Sequence, residues 1–163
     1  MDYFEKFYNS ALRFLSYRPR SEKEIRDRLR IRNQESGIKN LTLLIDQVIQ
    51  KLKEYKFIDD VEFAKKWIES RLRLKPRSLR LIEMELKQKG ISDEIIESGI
   101  KNQESRMGGD LTQAKRLAEK RIERLRGLAK QEIYQKLGRF LASKGFDWDI
   151  IKQSIDEVLK KRV

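Results

Sequence analysis

Apolar side chains recur at intervals of three or four residues along the chain, the spacing of a buried helix face. The first run extends from Phe4 to Leu15, and its helix must stop at Arg18 because Pro19 disfavours helical backbone in the residue before it. Eight further runs follow with the same spacing. The pattern therefore predicts an all-α protein of nine helices.

Capping residues mark where most of these helices begin. The predicted starts after the first helix are Ser21, Asn40, Asp59, Ser78, Ser92 or Asp93, Asp110, about Lys130, and Asp147. Gly90, Gly127 and Gly145 are predicted terminators, Gly90 in left-handed conformation. Gln103–Gly109 is the most linker-like segment of the chain.

One helix start occurs twice. Arg18-Pro19-Arg20-Ser21 returns as Lys75-Pro76-Arg77-Ser78 at an offset of 57 residues, and apolar residues follow each serine by four and eight positions. The proline ends the preceding helix, and the serine hydroxyl accepts from free backbone N–H groups. Glu24, three residues after Ser21, completes a capping box.

The repetition predicts three tandem three-helix units, 1–58, 59–103 and 104–163, that stack into an elongated, curved array. The alternative is a compact nine-helix globule in which the two copies of the motif are similar by coincidence, because both contain common helix-start and helix-stop residues. The double Pro-Arg-Ser match favours the array.

The net charge of +12 on 163 residues favours a polyanionic partner, with nucleic acid ahead of a membrane. Both terminal units are basic and the middle unit is nearly balanced, so the charge is spread along the chain. The absence of Cys and His removes disulfides, thiolate chemistry and the commonest metal ligand, so no metal or cofactor is expected. No apolar run would span a bilayer and no signal segment is seen, which predicts a cytoplasmic protein.

An ordered set of short motifs is similar to the RecX family, the regulators of the RecA recombinase. The matching residues are Ala11-Leu12, Arg18–Ser21, Glu24-Ile25, Phe57–Ile68, Arg71, Ile82, Glu85-Leu86, Lys89–Ile91, Phe140-Leu141 and Lys144–Asp147. Two turns depart from the family pattern, because Lys56 and Lys75-Pro76 stand where glycine is common.

The resemblance implies a regulator, not a catalyst, that binds RecA filaments and modulates, usually inhibits, their ATP hydrolysis and strand exchange in recombination, DNA repair and the SOS response. The protein is expected to be a monomer, and the sequence leaves open whether it inhibits or stabilises RecA. The expected partners are the RecA filament and single-stranded or double-stranded DNA, and the array is expected to lie in the filament groove. A general DNA- or RNA-binding module without a recombinase partner is the alternative. An enzyme is poorly supported without a phosphate loop, a nucleophile pair or a metal constellation.

Basic clusters supply the candidate contacts to DNA or to the filament. They are Arg18, Arg20, Arg26, Arg71, Arg73, Lys75, Arg77, Arg80, Arg121 and Arg124. Arginine suits bidentate phosphate binding, whereas the alternative is a solvated face of internal ion pairs. The 71–80 cluster has no acid between Glu69 and Glu83, which favours the functional interpretation there.

Two other features have structural interpretations. Adjacent Asp59 and Asp60 at a helix start are read as a cap rather than a catalytic or metal-binding pair. Trp67 and Trp148 fall on apolar stripes, so core packing is favoured over stacking on bases.

Overall fold

A computed structural model describes residues 2–162, and all regular structure within that range is helical. The helices are α1 (Tyr3–Leu15), α2 (Glu22–Asn33), α3 (Leu41–Glu54), α4 (Asp60–Leu74), α5 (Leu79–Gln88), α6 (Asp93–Met107), α7 (Asp110–Ile122), α8 (Lys130–Ser143) and α9 (Trp148–Lys160). A short 3-10 turn, Glu123–Leu125, continues α7. The all-α prediction is confirmed.

Four predicted caps hold their helices as expected. Ser78 Oγ accepts from the Leu81 N–H at 3.2 Å, and Ser92 Oγ accepts from the Ile95 N–H at 3.4 Å. Ser21 Oγ accepts from the Glu24 N–H, and the Glu24 carboxylate accepts from the Ser21 N–H at 3.0 Å, so the capping box is complete. Asp59 Oδ1 accepts from the N–H groups of Val61 and Glu62. Asp59 is therefore the cap that its sequence context indicates.

Three other predicted caps are wrong in their chemistry. Asn40 precedes α3 in left-handed conformation (φ 61°), and its side chain makes no capping hydrogen bond. Asp147 precedes α9 but also makes no such bond. Asp110 is the first residue of α7 rather than its cap, and its carboxylate accepts from the Leu79 N–H at 2.9 Å.

The predicted linker at 103–109 is also wrong. Helix α6 continues to Met107, and the Gln103 side chain within it is buried at 2% exposure. The helix ends only where Gly108 turns left-handed (φ 82°). Most of this segment is therefore the last turn of α6, although its composition is typical of a linker.

The chain divides into two compact units. One contains the residues up to Lys65 together with Leu86–Ile96, and the other contains Lys66–Glu85 together with the residues from Glu97 onward. In the first, α1, α2 and α3 bury a core that includes Phe7, Ile25 and Ile49. In the second, α7, α8 and α9 bury a core that includes Leu137 and Ile155.

Candidate functional site

The two Pro-Arg-Ser motifs join their helices to residues far along the chain. At the first motif, the Ser21 hydroxyl donates to the Lys89 carbonyl at 2.6 Å, and the Glu22 N–H donates to the Asp60 carboxylate at 2.9 Å. We call these four residues the first junction. The motif therefore serves packing as well as helix initiation.

The second motif has two corresponding hydrogen bonds, except that its serine donates through the main chain. The Ser78 N–H donates to the Lys144 carbonyl at 2.9 Å, and the Leu79 N–H donates to the Asp110 carboxylate at 2.9 Å. We call these four residues the second junction. Asp60 and Asp110 are the first residues of α4 and α7, so each carboxylate satisfies an N–H at the start of another helix.

Burial raises the pKa of both junction carboxyls above the ordinary value. The hydrogen bond from the Glu22 N–H opposes this rise at Asp60, and the bond from the Leu79 N–H opposes it at Asp110. In both cases desolvation outweighs the hydrogen bond. The two junctions thus share an electrostatic environment as well as a geometry.

At each junction a glycine in the turn packs directly against the neighbouring helix. Gly90 (φ 76°) lies so close to α2 that a Cβ built on it would be 2.5 Å from Lys23 Cβ. Gly145 (φ 84°) lies against α5, where a Cβ would be 2.4 Å from Leu81 Cγ. Both positions need glycine for the left-handed turn and for the close approach.

Glu24 gathers the cations of the first motif. Arg18 contacts its carboxylate at 2.5 Å, Lys89 at 3.1 Å and Arg20 at 3.8 Å. Burial alone would raise the pKa of Glu24, but hydrogen bonds from Arg18, the Ser21 N–H and Lys89 outweigh it and lower the pKa to about 2. Arg18 and Arg20 are consequently occupied within the fold.

Glu85 plays the corresponding role in the second motif. Its carboxylate accepts from Arg71 at 2.9 Å and from Arg77, and it also accepts from the Trp67 indole N–H at 2.8 Å. Burial opposes ionisation, yet these hydrogen bonds lower the pKa of Glu85. The prediction that the 71–80 cluster lacks an acidic partner is therefore wrong, because helix packing brings in an acid beyond the segment.

The remaining candidates fall into two groups. Arg26 is paired with Glu22 and Asp46, and Arg73 with Glu69. The second group comprises Lys75, Arg80, Arg121 and Arg124. These four are exposed, and none has an acidic partner within 4 Å among residues 2–162. This group provides the cations that are available to a partner.

Two of these arginines, Arg80 and Arg121, lie near the end of α8 and the Lys144-Gly145 turn that follows it. Arg121 lies over the Phe140 ring at 4.9 Å from its centroid, and Lys144 lies over that ring at 5.7 Å. Arg80 donates to the carbonyl of Gly145 at 3.3 Å. We call Arg80, Arg121, Phe140 and Lys144 the Phe140 cluster. The sequence analysis named Phe140 and Lys144 among the family-matching residues but did not select them as contacts, although their four-residue spacing at the end of α8 is a detectable signal.

The acids of α7 do not neutralise this cluster. Glu119 pairs with Lys161 at 3.1 Å, and Glu123 pairs with Arg162 at 2.5 Å and with Arg126. Glu119 on α7 and Glu123 in the 3-10 turn after it therefore pair mainly with cations near the end of the described range. Pairing along the helix, the alternative for this stretch, does not account for Arg121.

The tryptophans differ from each other. Trp148 is 60% exposed, so the prediction that it packs in the core is wrong. Its ring approaches α8 at Gly138, where an added Cβ would lie 4.0 Å from Trp148 Cζ3. Trp67 is half-buried, with Arg71 over its ring at 4.5 Å from the centroid.

Two absences apply to the described range. Among residues 2–162, no group of three or more acidic side chains is arranged to hold a metal ion. Within the same range, no helix has both the length and the apolar character needed to cross a bilayer.

Comparison with known proteins identifies the family. Models of the first, second and third three-helix domains of RecX match residues 8–36, 59–100 and 109–155. Regulatory protein RecX of Prosthecochloris aestuarii is 33% identical over 94% of this chain and 94% of that protein. The chain belongs to the RecX family. Its fold is accordingly a set of tandem three-helix RecX domains, as the sequence predicts.

Other RecX proteins support this assignment. Regulatory protein RecX of Listeria innocua is 34% identical over 96% of this chain, which spans only 55% of that protein's length. The crystal structure of RecX from Lactobacillus salivarius superposes with a TM-score of 0.74 and 29% identity, covering 95% of this chain and 96% of that chain. The chain thus matches some RecX proteins over nearly their whole length and others over about half.

Proposed function

We propose that this RecX protein binds RecA filaments on single-stranded DNA and inhibits their ATP hydrolysis and strand exchange. It acts as a monomeric, non-enzymatic regulator in the cytoplasm, in recombination, DNA repair and the SOS response. The observation that carries the proposal is the Phe140 cluster. It offers three cations without acidic partners among the described residues, in a protein of net charge +12.

The cluster suits phosphate contacts for a physical reason. A cation that is already paired must lose its internal partner before it can bind a phosphate, whereas Arg80 and Arg121 need not. The Phe140 ring also restricts the guanidinium of Arg121 and lowers the entropy lost on binding. Among the ten candidates, Arg80, Arg121, Arg124 and Lys75 are therefore proposed as contacts, with the paired arginines as structural residues that contact a partner only at their edges.

The proposal is tested with the double variant Arg80→Gln/Arg121→Gln. Each lost phosphate contact lowers the salt slope of single-stranded DNA binding by about 0.7, so two contacts give a reduction of about 1.4. Lys161→Gln is the control, because it removes one exposed positive charge that is paired with Glu119. Fluorescence anisotropy at several salt concentrations measures the slope.

The regulatory part is tested by the DNA-dependent ATPase of RecA with rising amounts of the protein. Inhibition at or below equimolar protein supports the proposal, and a weaker effect of the double variant supports the assigned residues. An unchanged ATPase at equimolar protein counts against regulation. Equal binding to naked and RecA-coated DNA favours the alternative of a general nucleic-acid-binding module.

A further inference from the structure

The turn after α3 exposes a group of apolar side chains on the surface. Tyr55 is 63% exposed, Phe57 is 50% exposed and Val61 is 57% exposed. The rings of Tyr55 and Phe57 lie 6.5 Å apart, centroid to centroid. Single exposed apolar residues are ordinary, but an adjacent set of this kind marks an interaction surface.

Two other turns of the chain have the same backbone geometry, but in both of them the apolar residue after the helix is buried. After α3, the Phe57 N–H bonds to the Leu52 carbonyl and the Lys56 N–H to the Lys53 carbonyl. The turns at Gly90-Ile91 and Gly145-Phe146 have the same hydrogen-bond pattern. There the apolar residue after the stop is only 4% exposed, for Ile91 and for Phe146. Phe57 is the member of this set that remains uncovered.

Lys56 distinguishes this turn further. It adopts φ 57°, the left-handed conformation that Gly90 and Gly145 take with ease. A non-glycine residue at such an angle costs roughly 1–2 kcal/mol. Its Cβ also prevents the close backbone approach seen at both junctions, so a helix start cannot dock here in the same way. A partner must instead contact side chains.

A cleft lies next to the exposed group. It has a volume of about 380 Å³ and is lined by apolar Ile58, Val61 and Ile95 together with Lys53, Lys56, Glu22, Asp59 and Asp60. Three acids and two lysines line the cleft, and Lys53 pairs with Glu22 at 2.6 Å. Asp59 and Asp60 therefore outnumber the remaining Lys56, and this net negative charge favours a basic group over a phosphate backbone.

We propose that the Tyr55–Val61 turn and its cleft form a protein-binding surface separate from the phosphate contacts. The occupant is a segment of the partner protein that inserts an apolar side chain into the cleft and carries a lysine or arginine beside it. The inference rests on the proposed function, in that the partner protein is the RecA filament.

The test separates protein binding from DNA binding. The variant Tyr55→Ser/Phe57→Ser removes the exposed rings and leaves the core intact, and Asp59→Asn removes a cleft charge while keeping the cap, because Asn caps as well as Asp. Tyr17→Ser is the control, since Tyr17 is 77% exposed in the same compact unit and does not line the cleft. Binding is measured to preformed RecA filaments and to naked single-stranded DNA.

The double variant should bind filaments about tenfold more weakly, as expected when two central aromatic anchors are lost. Asp59→Asn should weaken binding about threefold at low salt, with a smaller effect at high salt. Affinity for naked DNA should stay within about twofold of the parent for all variants.

A double variant that binds filaments as the Tyr17→Ser control does would overturn this inference alone. Equal losses on filaments and on naked DNA would also overturn it, because the rings would then contact nucleic acid. A parent protein that does not bind filaments would overturn the proposed function, and this inference with it.

Discussion

The two junctions place the same helix start against the same kind of turn but use different atoms to hold it. In both, an aspartate accepts from the N–H of the residue after the serine at 2.9 Å. At the first, the Ser21 side chain donates to the turn carbonyl, whereas at the second the Ser78 main chain donates. Both junctions therefore place a hydrogen-bond donor of the serine opposite the carbonyl of the turn, whether that donor is the side chain or the main chain.

The acidic partner of the motif arginine also differs between the two copies. Arg20 reaches Glu24, four residues later and on the same helix, whereas Arg77 reaches Glu85, eight residues later. Both carboxylates have a lowered pKa because the cations around them outweigh burial. The comparison teaches that this motif needs an internal acid near the arginine, without fixing the acid's place in the sequence.

Alanine at the junction glycines should give the largest effect and show whether both junctions are equally tight. Gly145→Ala should destabilise the protein by about 3 kcal/mol, because left-handed strain adds to overpacking against Leu81. Gly90→Ala should cost a similar amount, about 3 kcal/mol, because the added methyl would lie 2.5 Å from Lys23 Cβ, which the α2 backbone holds in place. Urea unfolding measures both values.

Gly127→Ala and Gly37→Ala are the controls for these variants. Both glycines have positive φ, but a Cβ on either would meet nothing within 4 Å. They should cost only about 1 kcal/mol from backbone strain. Equal costs for Gly145→Ala and Gly127→Ala would mean that the second junction is not closely packed.

Glu24→Gln should come next and should depend on pH. The pKa of Glu24 is about 2 in the folded state, below its ordinary value of 4.5, so ionised Glu24 stabilises the fold above about pH 4.5. That stabilisation is lost as the pH falls towards 2. We expect a loss of about 2 kcal/mol at pH 7 for Glu24→Gln, since the amide keeps part of the hydrogen bonding.

Unfolding measured between pH 7 and pH 3 tests this prediction. Glu85→Gln, beside the arginine of the second motif, should follow the same trend, because the pKa of Glu85 is lowered by the same kind of contacts. A Glu24→Gln penalty that stays constant over this range would exclude the charge of Glu24 as its cause.

The helices, the repeated motif and the Ser21 box could be predicted because they depend on neighbours within one or two turns. The long-range partners could not. Nothing local to Asp110 shows that its carboxylate will bind Leu79, and nothing local to Arg77 shows that Glu85 will lie beside it. The same limit explains Trp148, whose apolar spacing indicates a core position although the structure leaves it 60% exposed.

Replacing the two serines by alanine should cost different amounts of stability at the two junctions. Ser21→Ala removes a cap and also the donor to Lys89, so it should cost about 2 kcal/mol. Ser78→Ala removes only the cap, because the main-chain N–H remains, and should cost about 1 kcal/mol. Thermal or urea unfolding of the two variants gives the difference, and equal costs would show that the Ser21 hydroxyl bond adds no stability.

The junction aspartates should give the smallest effects when replaced by asparagine. Burial raises the pKa of Asp60 and Asp110, so their ionised forms are disfavoured in the fold and stability falls as the pH rises through the folded pKa. Asparagine removes that penalty and keeps the accepting oxygen, but it also removes a favourable charge at a helix N-terminus. These terms offset each other, so Asp60→Asn and Asp110→Asn should change stability at pH 7 by less than about 0.5 kcal/mol.

Alanine at the same two positions should cost about 1 kcal/mol each, because the N–H groups of Glu22 and Leu79 lose their acceptor. Urea unfolding of the four variants at pH 7 makes the comparison. If asparagine costs as much as alanine at Asp110 but not at Asp60, the charge stabilises only the second junction. The two junctions would then differ in electrostatics as well as in the atoms of their serines.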